Sequence, residues 1–221
     1  MPRTADPKHL IEGVTTVTVS HSPAPARSDL VAPPTGASTA RPYLVHGRVL
    51  SLGALSWALA IAAFGANPHE ALPLALFGLG SGLFQVGLFF LLRGLWRTRA
   101  IGEGRVARTV LRVEAVFVAL AICSTFVDAI AVSDLSQPGW LALDAFWPLS
   151  MLGMFLIGVR IAIAGRWTGA YRFWPMVAES WAVVTVPSNA VFGPTVGAAV
   201  GALHLLVGYT VLGLLVSRKT D

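Results

Sequence analysis

"LRVEAVFVALAICSTFVDAIAV" (residues 111–132) is long and apolar enough to cross a lipid bilayer as one helix. A helix rises about 1.5 Å per residue and the hydrocarbon core is about 30 Å thick, so about 20 residues suffice for one crossing. The stretch nevertheless carries Arg112, Glu114 and Asp128. Charged groups inside a span are costly and usually face protein or water. The segment therefore predicts a membrane helix with one polar, inward-facing side.

The composition indicates a multi-pass membrane protein. Hydrophobic residues make up 55% of the 221 residues and charged residues 12%, whereas soluble domains carry about 25% charged residues. The net charge of +5 comes from basic residues that flank apolar runs, which argues against a nucleic-acid partner. Arginine strongly outnumbers lysine, which is typical of a high-GC bacterial genome. The single cysteine, Cys123, excludes an internal disulfide and a cysteine-rich metal site.

Six apolar runs predict an all-α membrane protein, a six-transmembrane-helix bundle with a disordered cytoplasmic N-terminal tail. Residues 1–45 form the tail, because their Pro, Ser, Thr and Ala cannot bury enough apolar surface to fold. Residues 46–217 form the transmembrane domain, and residues 218–221 form a cytoplasmic C-terminus. The predicted spans are residues 49–66, 72–92, 109–132, 144–164, 173–191 and 195–216.

The basic residues predict the orientation of the bundle. Twelve of them lie near span ends on the side of the tail, whereas the opposite connections, "ANPHEA", "SDLSQPGWLAL" and "NAVFGPT", contain no Lys or Arg. Cytoplasmic loops are enriched in basic residues, so both termini are predicted to be cytoplasmic, with the protein in the cell (inner) membrane. This pattern requires the fifth span, which Pro175, Glu179 and Pro187 interrupt. We interpret it as a kinked crossing, because membrane helices tolerate proline.

Glycines at every fourth position predict close helix packing. In the sixth span they are Gly193, Gly197 and Gly201, and in the second span Gly78 and Gly82. Residues four apart share one face of a helix, so another backbone can approach closely there. Packing within one chain is the simpler interpretation, and a homodimer that uses one of these stripes is the alternative.

The connection "GRWTGAYRFWP" (residues 165–175) combines aromatic and basic residues at the predicted cytoplasmic surface. Arg166, Trp167, Arg172 and Trp174 suit an interfacial belt, where amphipathic side chains lie at headgroup level. The alternative is that they bind an anionic lipid headgroup or a phosphate.

Polar residues inside the spans form two layers when depth is counted from the basic flanks. The candidates for lining a polar cavity are Gln85, Glu114, Arg160 and Glu179 toward the cytoplasm, Asp128, Asp144 and Asn189 toward the outside, and His204 near mid-depth. Trp147 and His69 also lie in the outer layer. Glu114, Asp128 and Glu179 are the candidate catalytic acids. The alternative is structural: Arg160 and Glu179 form a buried ion pair, and His204 is a hydrogen-bonded core residue.

No cofactor or metal is predicted, because the five histidines are scattered and none belongs to a recognisable ligand motif. Three functions remain open. The first is binding or transport of a small hydrophobic or amphipathic molecule through a polar cavity in the membrane. The second is an intramembrane enzyme that acts on a lipid or isoprenoid with a Glu or Asp general acid, as in terpene-cyclase chemistry. The third is a helper or scaffold subunit. The expected partners are the lipid bilayer, such a ligand and a second copy of the chain.

Overall fold

The computed structural model describes residues 41–220, which form helices and short connections without a β-strand. The helices are α1 (Leu44–Phe64), α2 (Ala71–Thr98), α3 (Arg105–Ala129), α4 (Pro138–Asp144), α5 (Phe146–Ala164), α6 (Ala170–Glu179), α7 (Trp181–Phe192), α8 (Pro194–His204) and α9 (Val211–Arg218). Of the predicted tail, residues 1–40 lie outside the described residues, and α1 already begins at Leu44.

Within residues 41–220, five helical segments are long and apolar enough to cross a membrane by length and composition. They are Leu44–Phe64, Ala71–Thr98, Arg105–Ala129, Pro138–Ala164 and Pro194–Arg218. Large apolar side chains, among them Leu52, Leu79 and Leu156, point outward and are 58–66% exposed. Soluble monomers rarely expose extended apolar surface, so this exterior is typical of helices that contact lipid. The multi-pass helical architecture agrees with the sequence prediction at this level.

The predicted fifth span does not form one long helix. It is divided at Ser180 into α6 and α7, and each proline lies inside one of these helices instead of at the break. The Ser180 hydroxyl donates to the Val177 carbonyl at 2.7 Å, and the Ser180 backbone N–H donates to the same oxygen at 3.3 Å. Such local bonds compete with the helical pattern. The interruption therefore arises at a serine that the sequence analysis did not single out.

The final span contains a second irregularity. A π-helical segment, Leu205–Thr210, joins α8 to α9. Short π-helical segments are rare and often lie at functional sites. This one packs against the end of α6, because a Cβ atom on Gly208 would lie 3.1 Å from the Ala178 Cα atom. The break in α6–α7 and the π-helical segment are thus neighbours.

The α2–α3 and α5–α6 connections and the end of α9 meet at one end of the bundle, called here the basic end. Arg166 forms a 2.6 Å salt bridge with Glu103, which joins the α5–α6 and α2–α3 connections. Lys219, just after α9, has its ammonium group 5.5 Å from the centre of the Trp167 ring. The α1–α2 and α3–α4 connections lie together at the opposite end, called here the cavity end.

The predicted glycine stripes are only partly packing surfaces. A Cβ atom on Gly197 would lie 2.6 Å from the Asn189 Cβ atom of α7, and Gly78 lies against Ala129 of α3. Gly201 also faces α7. By contrast, nothing lies within 4 Å of a Cβ atom placed on Gly82 or Gly193. Close packing within the described chain is therefore absent at these two glycines. Gly82 faces open space, and Gly193, with a φ angle of +85°, ends α7 instead.

Candidate functional site

A cavity of about 720 Å³ lies at the cavity end and is lined by residues of α1, α2, α3, α4, α5, α7 and α8. The connections after α1 and α3 form its rim, where His69 and Ser133 lie. Its volume is within the range of about 300–1,000 Å³ that is typical of small-molecule sites. At the end away from this rim, three tryptophan side chains contribute to the lining.

Three tryptophans from distant parts of the chain form this inner end, called here the aromatic floor. Trp57 of α1, Trp147 of α5 and Trp181 of α7 have ring centres 5.2–6.2 Å apart. The Trp147 ring stands nearly perpendicular to the other two. On its inner side Trp57 stacks on Phe84, whose own centre lies 4.7 Å from that of Tyr209. Packed rings therefore separate the cavity from the basic end.

The walls hold three of the residues predicted for the outer polar layer: Asp128, Asp144 and Asn189. Asp128 accepts a short hydrogen bond from Ser133, and one Asp144 oxygen accepts from Ser124 at 3.4 Å. Within the described residues, the second oxygen of each carboxylate accepts no hydrogen bond. The sequence thus predicted a similar membrane depth for these three residues, and in the structure all three line one cavity.

Gln85 supports the wall from behind. Its side-chain amide donates to Thr125 at 2.6 Å and to Ser81 at 3.3 Å, and both of these hydroxyl-bearing residues line the cavity. Gln85 itself is buried, and its Oε1 atom has no partner among the described atoms. Gln85 therefore holds the α2–α3 wall together and does not line the cavity itself.

Beneath the aromatic floor, Glu114, Glu179 and Tyr209 form what we call the buried carboxyl cluster. Glu179 is the last residue of α6 and is 1% exposed, and the Tyr209 hydroxyl donates to its Oε2 atom at 2.6 Å. Glu114 is 3% exposed and lies against Gly153 of α5. The Oε1 atom of each carboxyl group has no hydrogen-bond partner within the described part of the chain. Two buried acids thus share a site without a cationic partner.

The predicted Arg160–Glu179 ion pair is wrong. Arg160 is exposed, and no ion pair within residues 41–220 involves either side chain. The face of α5 that meets α6 is marked by Gly158, where a Cβ atom would lie 2.9 Å from the Met176 Cα atom. Residue 160 is about 200° further around the helix, so Arg160 points away from α6. The predicted depth did not determine which way the side chain faces.

His204 bridges the break instead of lining the cavity. Its Nε2 atom lies 3.0 Å from the Val177 carbonyl oxygen and 3.1 Å from that of Ala178. Carbonyl groups in the last turn of a helix have no intrahelical partner. His204 of α8 therefore satisfies the end of α6 and ties the two spans together.

The residues predicted to lie in an interfacial belt or to bind headgroups mostly point inward. Trp167 is 3% exposed, and Trp174 donates from its indole nitrogen to the Gly208 carbonyl at 2.9 Å. Arg172 donates to the Ala162 carbonyl at 2.7 Å. Arg166 is bound to Glu103, as described above. Both tryptophans are packing residues at the basic end, because their rings lie against protein and not at an outer surface.

Sequence reasoning placed Trp147 in the outer layer but missed Trp57, Trp181 and Tyr209. The available signal was position: Trp57 lies in the middle of a predicted span, although interfacial tryptophans lie at span ends. Among residues 41–220, no three His, Cys, Asp or Glu side chains are close enough to hold a metal ion.

Comparison with protein-family models, curated proteins and solved structures gives no match to this chain. Its function must therefore be argued from the cavity, the aromatic floor and the buried carboxyl cluster.

Proposed function

We propose that the protein crosses the membrane six times, binds a small molecule in the cavity and carries it across the membrane. The observation that carries this proposal is the shape of the cavity. About 720 Å³ is open at one end of the bundle and closed on the aromatic floor, directly beside the break between α6 and α7. A binding space next to an interrupted helix is the arrangement in which small rearrangements can open a path to the opposite face.

The sixth crossing is supplied in this proposal by α6 and α7 together. The α5–α6 connection lies at the basic end, and the start of α8 borders the cavity. The chain between them comprises only Ala170–Glu179 and Trp181–Phe192. Interrupted backbone is tolerated at membrane depth where it is buried in protein or lines a cavity. With the basic end cytoplasmic by the positive-inside rule, both termini face the cytoplasm and the cavity opens outward.

The buried carboxyl cluster supports transport over simple binding. Carboxyl groups inside membrane proteins are expensive to bury, and they are frequent in the proton relays of pumps and transporters. Glu179 ends α6, and its partner Tyr209 lies in the π-helical segment, so both members lie on irregular backbone. Gain or loss of a proton at Glu179 would bias the α6–α7 break, because the Tyr209 hydrogen bond spans two helices.

A second candidate function is an intramembrane enzyme that acts on a lipid or isoprenoid. The observation that favours it is the combination of Asp128 and Asp144 with three indole rings in a cavity that the floor closes. An acid could protonate a substrate there, and the rings could stabilise positive charge. Such an enzyme needs access to its cavity from one side only, whereas a transporter needs access from both.

Reaction of an introduced cysteine in the cavity with a membrane-impermeant reagent distinguishes these two functions. In a Cys123→Ser background, Thr185→Cys places a thiol on the cavity wall, while Val183→Cys places one on the exposed side of the same helix. Both variants are treated with membrane-impermeant methanethiosulfonate reagents of either charge, in right-side-out and in inverted vesicles. Transport predicts that Thr185→Cys reacts from both faces.

The control should react slowly from both faces, because a thiol in lipid does not form the reactive thiolate. Reaction of Thr185→Cys only from the face of the cavity end would overturn transport and favour the enzyme. Equal, slow reaction at both positions would show that the cavity is closed in the membrane and would remove the basis of both functions.

A further inference from the structure

Among the described residues, the carboxylates that line the cavity give it a negative charge. Asp128 and Asp144 lie in its walls, and no Lys or Arg of the described chain lines it. The one basic side chain that does is His69, which is exposed at the rim. One oxygen of each carboxylate is already bound by a serine, which leaves the other available. An anion would meet two carboxylates in a partly desolvated site, so the walls favour a positively charged ligand.

The aromatic floor favours the same sign of charge. Three indole rings lie within 6.2 Å of one another, and Phe77 stands edge-on to Trp57 at 6.3 Å. The face of an indole ring attracts a cation that lies within about 6 Å of its centre, and aromatic cages that bind ammonium groups use this attraction. Walls with carboxylates and a floor of indole rings are thus complementary to a cation that carries apolar groups.

Two residues of the lining carry a buried polar atom that has no hydrogen-bond partner among the described atoms. Trp57 is 3% exposed and lines the cavity, yet its indole N–H has no acceptor among the described atoms. The Thr185 hydroxyl, also in the lining, is buried without a partner. Buried polar groups are normally hydrogen-bonded.

We propose that the ligand of the cavity is an organic cation with an apolar body, of the ammonium or phosphonium class. This assignment rests on the proposed function and names the chemical class of its substrate. The positive centre is attracted by the indole rings and the two carboxylates, and the apolar groups fill the remaining volume. A neutral molecule of the same shape would leave both carboxylates desolvated without compensation, and an anion would be repelled.

The test compares two probes of the same shape and opposite charge, tetraphenylphosphonium and tetraphenylborate, by calorimetry on the purified full chain in detergent. Saturable binding of the phosphonium alone is expected. Asp128→Asn and Asp144→Asn should each weaken it about tenfold or more, as for loss of a charge-assisted contact. Asp128→Glu should largely restore it. The matched control is Asp134→Asn, since Asp134 lies at the same end but is exposed and outside the lining.

The aromatic contribution is tested at Trp147, where Trp147→Leu should weaken phosphonium binding and Trp147→Phe should retain most of it. Equal binding of the two probes, or an equal loss in Asp134→Asn and Asp128→Asn, would overturn the assignment. If Thr185→Cys reacts from both faces but the phosphonium neither binds nor slows that reaction, the ligand class is wrong and the transport function stands. If Thr185→Cys does not react at all, the proposed function itself has failed.

Discussion

The hydrogen bond between Tyr209 and Glu179 should be a strong determinant of stability. Tyr209→Phe removes only the hydroxyl, and the ring keeps its edge-on contact with Phe84 at 4.7 Å. The other Glu179 oxygen is already without a partner, so the variant leaves a carboxyl group, 1% exposed, with no protein donor. Leaving a buried polar group unsatisfied costs about 1–3 kcal/mol. Couplings measured in a membrane protein reach about 1.7 kcal/mol, so about 1–1.5 kcal/mol is expected here.

The assay is a double-mutant cycle of Tyr209→Phe and Glu179→Leu, with the free energy of unfolding measured by denaturant titration in mixed micelles. Tyr209→Phe alone should destabilise by the full amount, and in the Glu179→Leu background it should cost much less. Tyr43→Phe, a half-buried tyrosine at the start of α1, is the control and should be neutral. A coupling below about 0.3 kcal/mol, the scatter found for independent sites, would refute the reasoning that the pair joins α6 to the π-helical segment.

Three further predictions each concern one residue or contact of the structure. Arg160→Leu should change the free energy of unfolding by less than about 0.5 kcal/mol, because Arg160 is exposed and unpaired within the described chain; a large loss in a denaturant titration would restore the ion pair. Gly197→Leu should lower thermal stability in detergent far more than Ala199→Leu on the exposed side of α8, because any Cβ at 197 collides with α7; equal effects would contradict this packing. The Ser136 hydroxyl and backbone N–H donate to Asp134 and lower its pKa. These bonds therefore stabilise the α3–α4 connection above the ordinary carboxyl pKa, and this stabilisation is lost as the pH falls through the lowered pKa of Asp134. Ser136→Ala should raise the Asp134 pKa in an NMR titration, and an unchanged value would exclude the hydroxyl as the cause.

The depth of a side chain along its span could be predicted from the sequence. The direction in which the side chain points around the helix could not. Counting residues from the basic flanks placed Glu114 and Glu179 on one level, and both side chains are buried in the structure. The same count placed Arg160 there, and it points outward. In a soluble helix the apolar stripe reveals the inner face. In a membrane helix both faces are apolar, so this signal is weak. The direction of a side chain then depends on which helices pack against its own.

The aromatic floor illustrates what a single sequence leaves undetermined. Its tryptophans are 90 and 34 residues apart along the chain, and they meet only because α1, α5 and α7 pack together. The break at Ser180 was equally hidden, because two nearby prolines were the more obvious helix breakers. Both features depend on tertiary contacts, and both border the cavity on which the functional proposal rests.

Solute exchange across a membrane distinguishes transport by this protein from binding alone. Proteoliposomes containing the purified chain are loaded with unlabelled tetraphenylphosphonium and diluted into medium that contains a trace of the radiolabelled ion. Carrier-mediated exchange predicts a transient accumulation of label above that in protein-free liposomes, and its loss in the Asp128→Asn/Asp144→Asn double variant. Binding of the phosphonium in detergent without any accumulation above protein-free liposomes would contradict the account, because the cavity would then be a binding pocket and not a route across the membrane.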